Sequence, residues 1–167
     1  MRGILLFEIL GIVVIVLAGS ALHFAHEWSG EAWPVAVVAA VNESVWEHLK
    51  LAFWPALAWS LPGWISIGRT VPNFWAGRLA ALALPPVIIA LGFYGYTAAL
   101  GHHSLAADLI LFVSAIAIGQ LAAVSLYRRP APGKGTAFVV TGLIFGLCLA
   151  FGSLTFVSPD IFLFREP

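Results

Sequence analysis

The chain is poor in charge. Of its 167 residues, 10% are Asp, Glu, Lys or Arg, while 61% are hydrophobic. A soluble domain carries about 25% charged residues, so this chain has too little charge to cover a water-facing surface. It has a single cysteine, Cys148. That excludes an internal disulfide and any zinc cluster built on thiolates. Cys148 lies in an apolar run and reads as a small hydrophobe packed between helices. Net charge is zero, which leaves no general attraction to nucleic acid. Internal repeats and a soluble domain are also missing, so residues 1–167 are expected to form one transmembrane domain.

What the chain does have is long apolar runs, with a mean hydropathy of +0.98. A membrane-crossing helix needs about 20 consecutive, mostly apolar residues. On that measure the expected fold class is all-α. It is a polytopic membrane bundle of five transmembrane helices, with a short interfacial or re-entrant segment before the second. The first span covers residues 4–26. Arg2 and the small residues Ala18, Gly19 and Ser20 allow a signal-peptide reading. The run, however, exceeds the usual core of about 7–15 residues and contains Glu8, so it is read as a retained span. "WSGEAW" follows as a turn whose Trp residues suit the membrane interface. Pro34 opens "PVAVVAAV", which is too short to cross.

The second span covers residues 44–67, with Pro55 and Pro62 predicting kinks. The third covers 74–100, with Pro85 and Pro86 at its middle. The fourth covers 104–127 and the fifth 136–157, joined by the Pro/Gly linker "RRPAPGKG". Gly142 and Gly146 form a small-residue face suited to helix packing.

Positive charges set the expected orientation, because Lys and Arg near span ends stay in the cytoplasm. Arg2, Arg69, Arg78, Arg128, Arg129 and Lys134 fall on one side of a five-span chain, and Lys50 and Arg165 on the other. The expectation is a cell-membrane protein with a cytoplasmic N-terminus and an extracytoplasmic C-terminus. All five histidines, His23, His26, His48, His102 and His103, then lie at the outer end. So do Glu27, Glu31, Glu43, Glu47, Asp108 and Asp160, leaving Glu8 as the one inner acid.

Helical spacing sharpens the outer cluster. Residues three and four apart share a face, which groups His23, His26 and Glu27 above Gly19, Ile12 and Glu8. Charge facing lipid is expensive, so this stripe should face the bundle interior. Glu43, Glu47 and Lys50 share a face of the second span, and His48 can close a site from the side. Imidazole and carboxylate donors with this spacing suit a divalent metal, zinc or iron. His23, His26 and His48 are the expected ligands, with Glu47 as a fourth ligand or Glu43 as a general base. A bound metal would lower the pKa of its water and supply a nucleophile.

Plainer readings stand beside this one. Ser44 and Glu47 fit a capping box. Glu47 and Lys50 fit a simple i,i+3 pair. His102 and His103 sit in a loop, where histidines are usually solvated. Asp108 lies in the first turns of a helix, where the dipole favours it.

The stretch "SG…VNESVWEHLKL", with Asn42 to Lys50 as its specific part, and the closing "SPDIFLFREP" resemble a family of small bacterial and archaeal multi-pass membrane proteins of unknown function. The resemblance implies an integral membrane fold and brings no activity. Two classes of function remain open. One is a metal-dependent enzyme acting on a lipid or another amphiphile in the bilayer. The other is a non-enzymatic subunit of a membrane complex, structural or carrying haem b between paired histidines. A small oligomeric transporter is a third option, hinted at by Glu8 on the same stripe as His23.

Overall fold

The computed structural model describes residues 2–166. They form α1 (Arg2–Trp28), a short α2 (Trp33–Ala36), α3 (Val45–Gly63), α4 (Phe74–Leu100), α5 (Leu105–Tyr127) and α6 (Lys134–Val157), with no strand among them. A π-helical turn, Trp64–Gly68, prolongs α3, and a 3-10 turn, Phe162–Phe164, closes the tail. Four helices, α1, α4, α5 and α6, are long and apolar enough to cross a membrane.

The fifth expected span, α3, differs from these four. It is 19 residues long and carries Glu47, His48 and Lys50 in its first turns. Its Val45, Leu49, Ala52, Phe53 and Ala56 form the centre of the main core, packed against Ile15 of α1, Leu82 and Ile89 of α4 and Ile116 of α5. The other helices are arranged around it. The π turn starts two residues after Pro62. Proline removes a backbone donor, and a one-turn π segment is a common way to absorb the gap.

Spacing explains how α1 sits. Its buried residues are Glu8, Gly11, Ile15 and Gly19, one stripe at steps of three and four. Leu6, Val13, Leu17 and Phe24 face outward, as suits lipid. Gly19 lets α1 close onto α3, because a Cβ there would lie 2.5 Å from the Leu51 carbonyl oxygen. The turn after α1 holds Gly30 and Glu31 at positive φ, and leaves Trp28 and Trp33 strongly exposed.

At the end of the bundle where α1, α4 and α6 begin, the expected charge distribution needs correction. Arg78, counted above with the rim cations, is fully buried. Its Nη1 lies 3.0 Å from Glu8 Oε2 and 3.0 Å from Gln120 Oε1. Its Nε donates to Ser60 at 2.9 Å, and its Nη2 to the Ala56 carbonyl at 3.0 Å. The Tyr127 hydroxyl donates to Glu8 at 2.9 Å. A buried charge is tolerated only when it is paired and its remaining hydrogen-bonding sites are filled. This network pairs the charge and fills most of these sites, leaving Gln120 Nε2 without a partner among the described residues, and it ties four helices together. Glu8 is held inside it and has no solvent face, so nothing in the geometry supports a path across the membrane from that residue.

Two further expectations are corrected. No capping box forms at α3: Ser44 makes no side-chain cap bond, and Glu47 Oε2 instead accepts from the Val41 amide at 3.1 Å. Asn42 organises the turn, accepting from the Ser44 amide at 3.0 Å. Gly142 and Gly146 have open space beside them, so the small-residue face of α6 packs against nothing within this chain among the described residues.

Candidate metal centre

The end of the bundle where α1 ends and α3 begins is shaped by the segment between them. Residues 33–44 lie over the bundle, held by a second buried network. Lys50 Nζ lies 2.6 Å from Glu47 Oε2, 2.8 Å from the Ala36 carbonyl and 2.8 Å from Thr155 Oγ1. Thr155 in turn donates to Glu47 Oε1 at 2.9 Å. All three ammonium protons are used. The pair expected at i,i+3 is thus formed, and it fastens α2 and α6 onto α3. Trp46, stacked between Phe151 and Phe164 at 4.7 Å from each ring, fastens the tail to the same place.

With Glu47 and Lys50 turned inward, the next residue on α3 faces the other way, since successive helical side chains diverge by about 100°. His48 therefore meets α1. Its Nε2 lies 3.2 Å from Nε2 of His23. Glu43, at the end of the overlying segment, brings Oε2 to 3.5 Å from His48 Nε2 and 3.8 Å from His23 Nε2. These three residues form the one His/carboxylate group among the described residues with the spacing to hold a metal ion. A tetrahedral ion with bonds of about 2.0–2.2 Å needs its ligand atoms about 3.3–3.5 Å apart, so only a small adjustment is required.

Orientation of the donors also fits a cation. His48 Nδ1 lies 2.9 Å from the Ser44 carbonyl oxygen, which can only accept. In the neutral ring the proton therefore sits on Nδ1, and Nε2 presents its lone pair to His23 and Glu43. A backbone carbonyl fixing the far nitrogen is the usual support for a metal-ligating histidine. The side chains of His23, His48 and Glu43 are 31%, 33% and 66% exposed, so water and ions reach them.

The other expected ligands are elsewhere. Glu47 is occupied by Lys50, Thr155 and Val41. His26, one turn beyond His23, stands outside the group, and its Nδ1 is buried with no hydrogen-bond partner among the described residues. Glu43, expected as a general base, lies among the donor atoms themselves.

The three residues line one wall of a cavity of about 510 Å³. Its floor is apolar, with Leu51, Ile89, Phe93 and Phe112. The far wall comes from α5 and the loop before it. There Asp108 accepts from the Tyr96 hydroxyl and lies 3.4 Å from His103 Nδ1. Glu166 of the tail reaches the same space. His103 is an exposed loop residue and Asp108 lies in the first turn of α5, as their sequence positions lead one to expect, and both also line the cavity. Tyr96 is what ties them in: it lies about one turn before the end of α4, and its hydroxyl also accepts from the Ser104 amide at 3.2 Å, folding the loop inward.

The chain belongs to a family of unknown function (DUF6512). That family's model matches residues 5–167, which takes in every residue of the centre. No curated protein and no solved structure matches it. Family membership therefore brings no chemistry with it, and the reading of the site rests on its geometry.

Proposed function

We propose that this protein is a membrane protein that binds a divalent metal, zinc or iron, through His23, Glu43 and His48 at its outer end, and that the centre acts on an amphiphile in the adjoining cavity. One observation carries this reading. Two imidazole Nε2 atoms 3.2 Å apart face a carboxylate, and the far nitrogen of His48 is fixed by Ser44. Such an arrangement favours a compact cation. Haem b would need the two imidazoles on opposite faces of a porphyrin, whereas here they touch directly. Three protein ligands leave a position for water, and a divalent ion there supplies Lewis-acid chemistry. The apolar floor favours a substrate with a hydrocarbon part.

The topology follows from the same view. With α3 counted as a span beside the four long helices, the chain crosses five times. Once Arg78 and Lys50 are removed as buried, the exposed cations are Arg2, Arg69, Arg128, Arg129 and Lys134 at one end and Arg165 at the other. That bias favours a cytoplasmic N-terminus and places the metal centre on the extracytoplasmic side of the cell membrane.

The test is metal content. Purified protein, exposed to zinc and then desalted, should retain close to one equivalent, and His23→Ala should retain none. Wild-type protein without stoichiometric metal after exposure to both zinc and iron(II) would overturn the reading.

A further inference from the structure

The cavity beside the metal centre has a one-sided charge. Its titratable lining comprises Glu43, Asp108 and Glu166 with His23, His48 and His103. No lysine or arginine lines it among the described residues. Lys50, the nearest ammonium on α3, is fully buried behind Glu47, and Arg165, beside Glu166, is turned to Asp160 at 2.7 Å. Exposed Glu27 and Glu31 add to the negative field of this end. An ion at His23, Glu43 and His48 would offset two of the three lining carboxylates and leave the far wall negative.

The walls differ in character. Asp108 is 30% exposed at the cavity side, with one oxygen held by Tyr96 and the other only loosely approached by His103 at 3.4 Å. It keeps acceptor capacity directed at the space. Below it run Leu109, Phe112, Leu105, Ile89 and Phe93. A negative carboxylate above an apolar, phenyl-lined channel is complementary to a positive head on a hydrocarbon chain. The phenyl faces also attract a cation directly. An anionic head seated on the far wall would meet Asp108 and Glu166 with no lysine or arginine beside them, an arrangement that disfavours binding.

We infer that the cavity selects an amphiphile with a cationic amine head, seated against Asp108 and Glu166 with its chain along Ile89, Phe93 and Phe112. This deepens the reading of the metal centre and rests on the amphiphile being its substrate, but the head-group contacts are separate from the metal ligands.

The experiment uses full-length protein in phosphatidylcholine nanodiscs and a photoreactive hexadecylamine carrying a diazirine on its chain. Cross-linked peptides are mapped by mass spectrometry, and zinc content is measured on the same samples. The amine should label α4 and α5 around residues 89–112. Unlabelled hexadecylamine should compete; hexadecanoic acid and hexadecanol should not. Asp108→Asn should reduce labelling about tenfold, the effect of losing one charge-assisted contact, with zinc content unchanged. Glu166→Gln, in the tail, gives a second variant that does not touch the helix packing, and should reduce labelling in the same direction. Equal competition by the fatty acid, or full labelling in both variants, overturns the inference. If labelling behaves as expected while wild-type protein holds no zinc, the metal reading fails and the amine site stands.

Discussion

Two regions of this bundle are built from the same kinds of side chain and are finished differently. Around Arg78 a carboxylate, a guanidinium and an amide are sealed at zero exposure, with the phenol of Tyr127 buried beside them. Around His48 two imidazoles and a carboxylate approach one another at 3.2–3.8 Å and are open to water. The first region pairs its charges inside the bundle, away from solvent, with Gln120 Nε2 left without a partner among the described residues. The second has two imidazole nitrogens and a carboxylate oxygen converging on a point that water and ions can reach. Within one membrane protein, then, an ionisable group inside the bundle is a functional signal only when its partners leave capacity unused. The Glu47–Lys50 network lies in sequence beside the open centre yet belongs to the closed kind. It holds the wall on which the centre is mounted.

The largest expected effect comes from breaking the closed region. Arg78→Ala leaves Glu8 buried and unpaired, and removing one partner of such a pair costs about 3–5 kcal/mol. The variant should lose most of its folded fraction in a denaturant titration in detergent micelles. Glu8→Leu combined with Arg78→Leu should recover much of that loss, because an apolar pair leaves no stranded charge. A double variant as unstable as the single would show that the other bonds of Arg78, to Ser60, Ala56 and Gln120, carry the effect.

The second effect is intermediate and joins the two regions. Lys50→Met strands Glu47, although the Val41 amide and the Thr155 hydroxyl still serve it. Hydrogen bonds to a charged group contribute about 1.5–3 kcal/mol, so a stability loss of that size is expected. Because Lys50 also anchors Ala36, the segment carrying Glu43 should loosen, and zinc affinity should fall as well. If stability falls and zinc affinity does not, the overlying segment is held by other contacts, with Trp46 and the tail the foremost candidates.

Part of this contrast was legible in the sequence. The stripe of Glu8 and Gly19 on α1 follows from steps of three and four, and the polarity of Asn42 to Lys50 stands out against its apolar surroundings. The approach of His23 to His48 needed only that α1 and α3 be neighbours; Glu43 joins them because it lies before α3 begins, off the Glu47 and Lys50 face on which helical spacing put it. Arg78 was misjudged because counting charges near a span end takes exposure for granted. The missing clue was Gln120 in the middle of "AIAIGQLAAV", a polar residue that had to be answering something on another helix. The exposed loop position of His103 and the helix-start position of Asp108 were legible, but their place on the cavity wall was not, because what holds Asp108 there is Tyr96 on a different helix. Glu47 was assigned to the metal because spacing shows which residues share a face and cannot show which partner takes them.

A smaller effect on stability, but the largest on binding, is expected at the open region. His23→Ala removes a half-exposed side chain, so stability should change by no more than about 0.5 kcal/mol. Zinc affinity should fall at least about 100-fold, since even losing a supporting partner of a ligand costs 10–100-fold. Acidification should weaken zinc binding in the wild type, because imidazoles and carboxylate must shed their protons to ligate. Affinity should therefore fall steadily as pH is lowered, and a pH-independent affinity would count against ligation by histidine.

The smallest expected effect falls on His26, and it separates the sequence-based ligand set from the structural one. His26 shares a face of α1 with His23 and sits one turn away, so helical spacing alone gives the two residues equal standing. In the fold only His23 faces His48. His26 has a buried ring nitrogen without a partner, and deleting an unsatisfied polar atom gives up no hydrogen bond. His26→Ala should leave stability within about 0.5 kcal/mol of wild type and zinc affinity unchanged. A drop matching that of His23→Ala would bring His26 into the coordination sphere. The centre would then be closed by a fourth protein ligand rather than left open for water, which is the mark of a structural site and not a catalytic one.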